Sequence, residues 1–132
     1  MERRKTTNFE IGTGGIGSSY PISIQSMTNT DTRNSAATLR QINQLAAVGC
    51  QLVRVAVPDE EAALALKIIC AESPIPVIAD IHFNHRLALL AMDHGISALR
   101  INPGNIGSQS KVQEVVSKAK ILGVPIRIGV NA

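Results

Sequence analysis

Five short runs rich in β-branched residues, at 22–28, 52–57, 77–82, 98–102 and 126–131, alternate with longer stretches of helical period. That alternation reads as an α/β fold in which a crossover helix returns each strand parallel to the one before. Punctuation agrees with it. Gly49, Gly95 and Gly123 each close a helical stretch a few residues ahead of a strand, where a left-handed turn ends a helix. A third observation narrows the class, because polar side chains fall on the same face of all five strands.

Residues 1–20 precede the series and carry Gly12, Gly14, Gly15 and Gly17. Three of them spell GxGxxG, but that dinucleotide fingerprint needs a strand before it and a helix after it. Here Ser18-Ser19-Tyr20-Pro21 leads into a strand, so a glycine-rich β-hairpin is expected instead. From 21 to 132 the order is strand, helix, strand, helix, strand, helix, strand, helix, strand. Leu39, Ile42, Leu45 and Ala46 mark the first helix, and Val112, Val115, Val116, Ala119 and Leu122 form the clearest apolar stripe, on the fourth. Asp31 and Asp59 stand where the first two helices should begin, and Asn84 is placed to cap the third. Ser110 with Gln113 fits a capping box for the fourth, while Pro74 and Pro76 close the second.

Composition excludes several classes. With 132 residues, 45% hydrophobic and 17% charged, the chain can bury a core, and no apolar run reaches the ~18 residues of a membrane span. The start, Met1-Glu2-Arg3-Arg4-Lys5, leads into no signal-type apolar run, so a cytoplasmic protein is expected. The net charge of +3 equals the contribution of Arg3, Arg4 and Lys5. With one Tyr, two Phe and no Trp there is no stacking platform for nucleic acid. Cys50 and Cys70 are too few for a disulfide framework and too far apart for a CxxC metal pair; they read as small buried apolar residues. Met27 reads as core.

Alternate strand residues face opposite sides. One face is apolar: Ile22, Ile24; Val53, Val55, Val57; Val77, Ala79, Ile81; Leu99, Ile101; Ile126, Ile128, Val130. The other carries Ser23, Gln25, Met27; Leu52, Arg54, Ala56; Ile78, Asp80, His82; Ala98, Arg100, Asn102; Arg127, Gly129, Asn131, with its polar groups toward the strands' carboxyl ends. A doubly wound sheet, covered on both faces, has little use for such positions. A (β/α) barrel gathers them at its carboxyl-end mouth, where barrel active sites lie, and the pattern favours it. Eight βα units and about 250 residues close a barrel, so five strands and four helices amount to a partial TIM (β/α)8 barrel. Arg54, Arg100 and Arg127 face inward with only Asp80 to oppose them, which calls for an anion whose oxygens match guanidinium forks. Asn102-Pro103-Gly104-Asn105, Gly107 and Ser108 can add backbone N–H groups, and His82 joins Asp80 on the third strand. His85 and His94 read as surface or cap residues.

Five strand-end motifs occur in order: Gln25-Ser26-Met27-Thr28-Asn29-Thr30; Val53-Arg54-Val55-Ala56-Val57-Pro58; Asp80-Ile81-His82-Phe83; Arg100-Ile101-Asn102-Pro103-Gly104-Asn105-Ile106-Gly107; and Arg127-Ile128-Gly129-Val130-Asn131. Together they resemble the amino-terminal half of the 4-hydroxy-3-methylbut-2-en-1-yl diphosphate synthase family, and the resemblance covers essentially the whole chain. It implies a TIM-barrel domain followed by a smaller domain in which three cysteines and a glutamate hold a [4Fe–4S] cluster. It implies reductive ring opening and dehydroxylation of 2-C-methyl-D-erythritol 2,4-cyclodiphosphate on the methylerythritol phosphate route to isoprenoids. Electrons would come from flavodoxin or ferredoxin, in a homodimer of the cytoplasm or the plastid stroma.

Carried over by motif, Arg54, Arg100 and Arg127 would grip the diphosphate, with His82, Asn102, Asn105 and Asn131 completing a polar shell. Asp80 would orient its basic neighbours or meet a substrate hydroxyl. Asn84 stands where the family has Asp, and Cys50 and Cys70 fall outside the cluster-ligand motifs, so no metal ligand is expected here. The expectation is a substrate-binding half, inactive alone, lacking the iron–sulfur domain. Two alternatives stay open: another phosphate-binding barrel enzyme of pterin-binding synthase or aldolase type, and a non-catalytic fragment that associates through open sheet edges.

Overall fold

The computed structural model describes residues 2–130; Asn131, expected in the polar shell, lies outside them. The glycine-rich start forms an antiparallel hairpin, β1 (Phe9–Ile11) and β2 (Gly14–Ile16), with Phe9 opposite Ile16 and Ile11 opposite Gly14. Its turn passes through Gly12 at φ +57°, and a Cβ there would run into the Pro76 ring. The remaining elements are β3 (Gln25–Met27), α1 (Ser35–Ala47), β4 (Leu52–Ala56), α2 (Glu60–Glu72) and β5 (Val77–Ile81). They continue with α3 (His85–Asp93), β6 (Ala98–Ile101), α4 (Pro103–Ile106), α5 (Gln109–Leu122) and β7 (Ile126–Ile128). Strands β3 to β7 form one parallel sheet in sequence order, as right-handed crossovers dictate.

The apolar face packs against the helices. Val53, Val55, Val57, Val77, Ala79, Ile81, Leu99 and Ile101 form one cluster with Ile42, Leu66, Ile69, Leu87, Ala91, Val115 and Ala119. Burial of side chains of this size contributes about 1.5–3 kcal/mol each, which makes this layer the main source of stability. At the sheet edges this apolar face is open. Ile22 and Ile24 are 81% and 59% exposed, and Ile128 and Val130 are also exposed. Met27 is likewise not core: it borders a groove beside Gln44 and Leu45 of α1.

Helix ends follow local chemistry, with two corrections. Asp59 Oδ1 accepts from the Ala62 N–H and Asn84 Oδ1 from the Arg86 N–H, as expected. The first helix is capped by Asn34, whose Oδ1 accepts from the Ala37 N–H, and not by Asp31. Asp31 instead pairs with Arg33, whose hydrogen bonds hold its carboxyl below the usual carboxylate range. The expected capping box at Ser110 is absent because α5 starts two residues earlier, after Ser108; Ser110 lies inside it and its Oγ meets Ser108 Oγ at 2.9 Å. The described residues hold five helices, not the four expected, since α4 is a single turn between β6 and α5. Asn102 caps it, and Pro103 at its first position loses no helix hydrogen bond.

Candidate anion-binding site

Register sets the site in rows across the sheet's inner face. The amino end of that face is apolar: Leu52, Ile78 and Ala98 are buried together, with Ile11 and Ile16 of the hairpin packed against them. The hairpin therefore floors the amino end of this face, a role no strand pattern revealed. A cavity of about 550 Å³ opens between hairpin and sheet, bordered by Phe9, Ile16, Gln25, Leu52, Ile126 and Arg127. Toward the carboxyl ends the character changes. Met27 pairs with Arg54 and Arg54 with Ile78; one row further, Ala56, Asp80, Arg100 and Arg127 stand side by side on four adjacent strands.

Asp80 is the hub. Its carboxylate is 3% exposed and has Arg54 Nε at 3.4 Å, Arg100 Nη1 at 3.6 Å and His82 Nε2 at 3.9 Å. These are ion-pair distances without hydrogen-bond geometry, for both Asp80 Oδ1 and Arg54 Nε are buried with no hydrogen-bond partner. Thr28 Oγ1 and Thr32 Oγ1, which follow β3, share that condition. Buried polar atoms are nearly always satisfied, so four orphans among the described residues, all on β4, β5 or the loop after β3, mark a place built around something polar.

Charge sharpens the description. Arg100 stands directly across from Arg127 in the ladder, with strands about 4.8 Å apart. Like charges in that position repel. One carboxylate opposes three guanidiniums, so the inner face keeps an excess of about two positive charges.

The expected residues do not all converge. Arg54, Asp80, His82 and Arg100 form one cluster, and Arg127 extends it along the row on the edge strand. His82, 47% exposed at the rim, lies beside the exposed Phe83 ring. Asn102 is buried, but its Oδ1 accepts from the Gly104 N–H, so that oxygen serves the α4 cap. Asn105 sits on α4, exposed, and its backbone N–H donates to Asn102 O.

The described residues do not suit an iron–sulfur cluster. Cys50 is buried at the start of β4 with its thiol donating to Leu52 O at 3.0 Å, and Cys70 is mostly buried on α2, its thiol pushed up to about 11 by desolvation. No three His, Cys, Asp or Glu side chains among these residues gather as a metal set. His94 ends α3 as a cap, whereas His85, at the first position of α3, is mostly buried against Glu114 of α5 at 3.3 Å and is not a surface residue. No helix among these residues is long and apolar enough to cross a membrane.

Parallel βα units with a floored, cationic inner face define a βα-barrel domain. More particularly, the chain belongs to the GcpE TIM-barrel domain family, which matches residues 6–132. It is 61% identical over 131 residues to the 4-hydroxy-3-methylbut-2-en-1-yl diphosphate synthase (flavodoxin) of Maridesulfovibrio salexigens, covering 99% of this chain and 37% of that protein. The protein of the same name from Lawsonia intracellularis is 61% identical over 98% of the chain and 36% of its own length. The chain thus spans little more than a third of the curated relatives it matches. Among solved structures, a 4-hydroxy-2-oxoglutarate aldolase/2-deydro-3-deoxyphosphogluconate aldolase from TTHB1 superposes with a TM-score of 0.54 at 21% identity, over 83% of this chain and 48% of that one. At that identity the likeness is one of fold alone.

Proposed function

We propose that this chain is the substrate-binding part of a 4-hydroxy-3-methylbut-2-en-1-yl diphosphate synthase, and that its cationic inner face receives the diphosphate of 2-C-methyl-D-erythritol 2,4-cyclodiphosphate. The observation that carries the reading is the Arg100–Arg127 pair, set side by side one row above Arg54, with the one carboxylate of Asp80 facing Arg54 and Arg100. Guanidinium forks match phosphate oxygens in charge and geometry, and an incoming diphosphate relieves the like-charge pairing. In this reading residues 1–20 floor the inner face and 21–132 are the first five strands of the barrel.

The reaction takes up two electrons and one proton, breaks the ring C–O bond and a C–OH bond, and releases one water, so the diphosphate gains one negative charge. Opening the ring converts a bridging phosphate ester into a free terminal phosphate, so negative charge grows on oxygens held by arginine. Donors placed where charge develops lower that barrier more than they stabilise the bound ring. Asp80 keeps Arg54 and Arg100 aimed until the anion arrives; His82, Asn102 and Asn105 border the same mouth, and by motif Asn131 would complete the polar shell. Electron delivery from flavodoxin or ferredoxin, the [4Fe–4S] cluster and the homodimer are properties of the whole enzyme in this reading. The same reading carries a cytoplasmic location.

The test restores a full-length protein by placing this chain in the Maridesulfovibrio salexigens synthase, in exchange for the aligned segment. Calorimetry with the cyclodiphosphate should show binding that weakens at least about tenfold on Arg100→Ala or Arg127→Ala, the worth of one hydrogen bond to a charged group. Unchanged affinity in both variants would refute the assignment. A second reading, self-association, is favoured by the open edges β3 and β7 and the exposed Ile22, Ile24 and Ile128 beside them. Light scattering decides it: a monomer across the concentration range rules it out.

A further inference from the structure

Gly129 follows β7 on the inner face, yet its backbone does not require glycine. The glycines with positive φ are Gly12, Gly17, Gly49, Gly95, Gly107 and Gly123, and Gly129 is not among them. Its N–H donates to Ile101 O at 2.9 Å, extending the parallel ladder by one residue, a conformation any L residue can adopt. What the position lacks is room. A Cβ there would stand 2.5 Å from Nε and 2.7 Å from Cζ of Arg100, and closer still to Nη2. The guanidinium rests against the bare Cα while its Nη1 faces Asp80 Oδ1 at 3.6 Å. Arg100 is thus held between a carboxylate and a glycine, with its side chain 17% exposed.

We infer that Gly129 is a positioning residue of the anion site, the seat that sets where the Arg100 guanidinium points. The inference rests on the reading above that Arg100 grips the diphosphate, and it adds a residue that touches no ligand itself. The three atoms nearest a methyl group at 129 all belong to the guanidinium at the end of the flexible Arg100 side chain, so the sheet stays and the guanidinium leaves its seat. The fold should survive while the site loses its aim.

The experiment uses the full chain and inorganic pyrophosphate, titrated by calorimetry into parent, Gly129→Ala, Arg100→Ala and the double variant. Gly129→Ala is expected to weaken binding about tenfold, as loss of a charged hydrogen bond does. The double variant should bind within about twofold of Arg100→Ala, because the glycine acts only through that arginine. The Arg100 Nε–Hε resonance should move in Gly129→Ala, a signature that a general loosening of the sheet would not confine to one side chain.

If Arg100→Ala leaves affinity unchanged, the anion-site reading falls and the seat with it. If Arg100→Ala weakens binding but Gly129→Ala binds like the parent, or if the two losses add in the double variant, the seat alone is wrong. Should Gly129→Ala fail to fold, the double variant decides: a folded double shows that the obstacle is Arg100 and supports the seat. An unfolded double shows that the backbone needs glycine and overturns it.

Discussion

Asp80→Asn isolates the internal counter-ion of the site. The substitution keeps size and shape and removes one charge that is 3% exposed and faces Arg54 Nε at 3.4 Å and Arg100 Nη1 at 3.6 Å. Removing one partner of a buried ion pair costs about 3–5 kcal/mol, since the other charge is left uncompensated. Both arginines keep part of their surface in water, which takes up some of that penalty, so the lower bound of about 3 kcal/mol is the expectation. With a urea slope of about 1.5 kcal/mol per molar, the unfolding midpoint should fall by about 2 M.

The same variant frees two guanidiniums, so pyrophosphate at about a hundred times its Kd should return about 2.7 kcal/mol. Urea melts of parent and variant, with and without pyrophosphate, read both effects. A variant as stable as the parent in the absence of anion would refute the counter-ion argument. So would one that loses stability but gains nothing from pyrophosphate.

Three further outcomes follow from local structure. Asn34→Ala and Asp59→Ala should each lower stability by about 1 kcal/mol through loss of a helix cap, whereas Ser110→Ala should leave the urea midpoint within error. Cys70, its thiol raised from 9.0 to about 11 by burial, should react with a disulfide reagent at pH 8 about a hundredfold more slowly in the folded than in the unfolded chain. Burial favours the protonated thiol, so its contribution to stability is complete below pH 9 and fades as pH rises from 9 to 11. Replacing Cys70 by Ala should flatten the pH profile in that window.

Strand alternation alone located the inward set, because side-chain period in a strand is strictly two and the polar positions repeat in phase on every strand. Alternation therefore puts Arg54, Asp80, Arg100 and Arg127 on one face, as the ladder register does. What alternation does not contain is depth. The same face carries Leu52, Ile78 and Ala98 lower down, and only the packed hairpin shows that Ile11 and Ile16 close that end. The strand at 22–28 shrank to Gln25–Met27 because its amino end lies beyond the ladder: the Ile24 N–H bonds the Gln51 side chain, and Ile24 O accepts from Gln51 and Leu52.

Asn-Pro at 102–103 held an unread helix start, since a capping side chain followed by Pro at the first turn is a recognised signal. Gly129 carried a signal too. An isolated glycine in a strand pattern marks close approach of another group, but which group approaches depends on the rotamer of Arg100 on the neighbouring strand.

The central claim is that one diphosphate is held by guanidiniums from three strands. A crystal structure of the full-length chimaera with bound 2-C-methyl-D-erythritol 2,4-cyclodiphosphate tests it most directly. The account predicts phosphate oxygens within about 2.7–3.2 Å of nitrogens on Arg54, Arg100 and Arg127, with the Arg100 guanidinium still against Gly129. A diphosphate bound with those three side chains out of reach would contradict it.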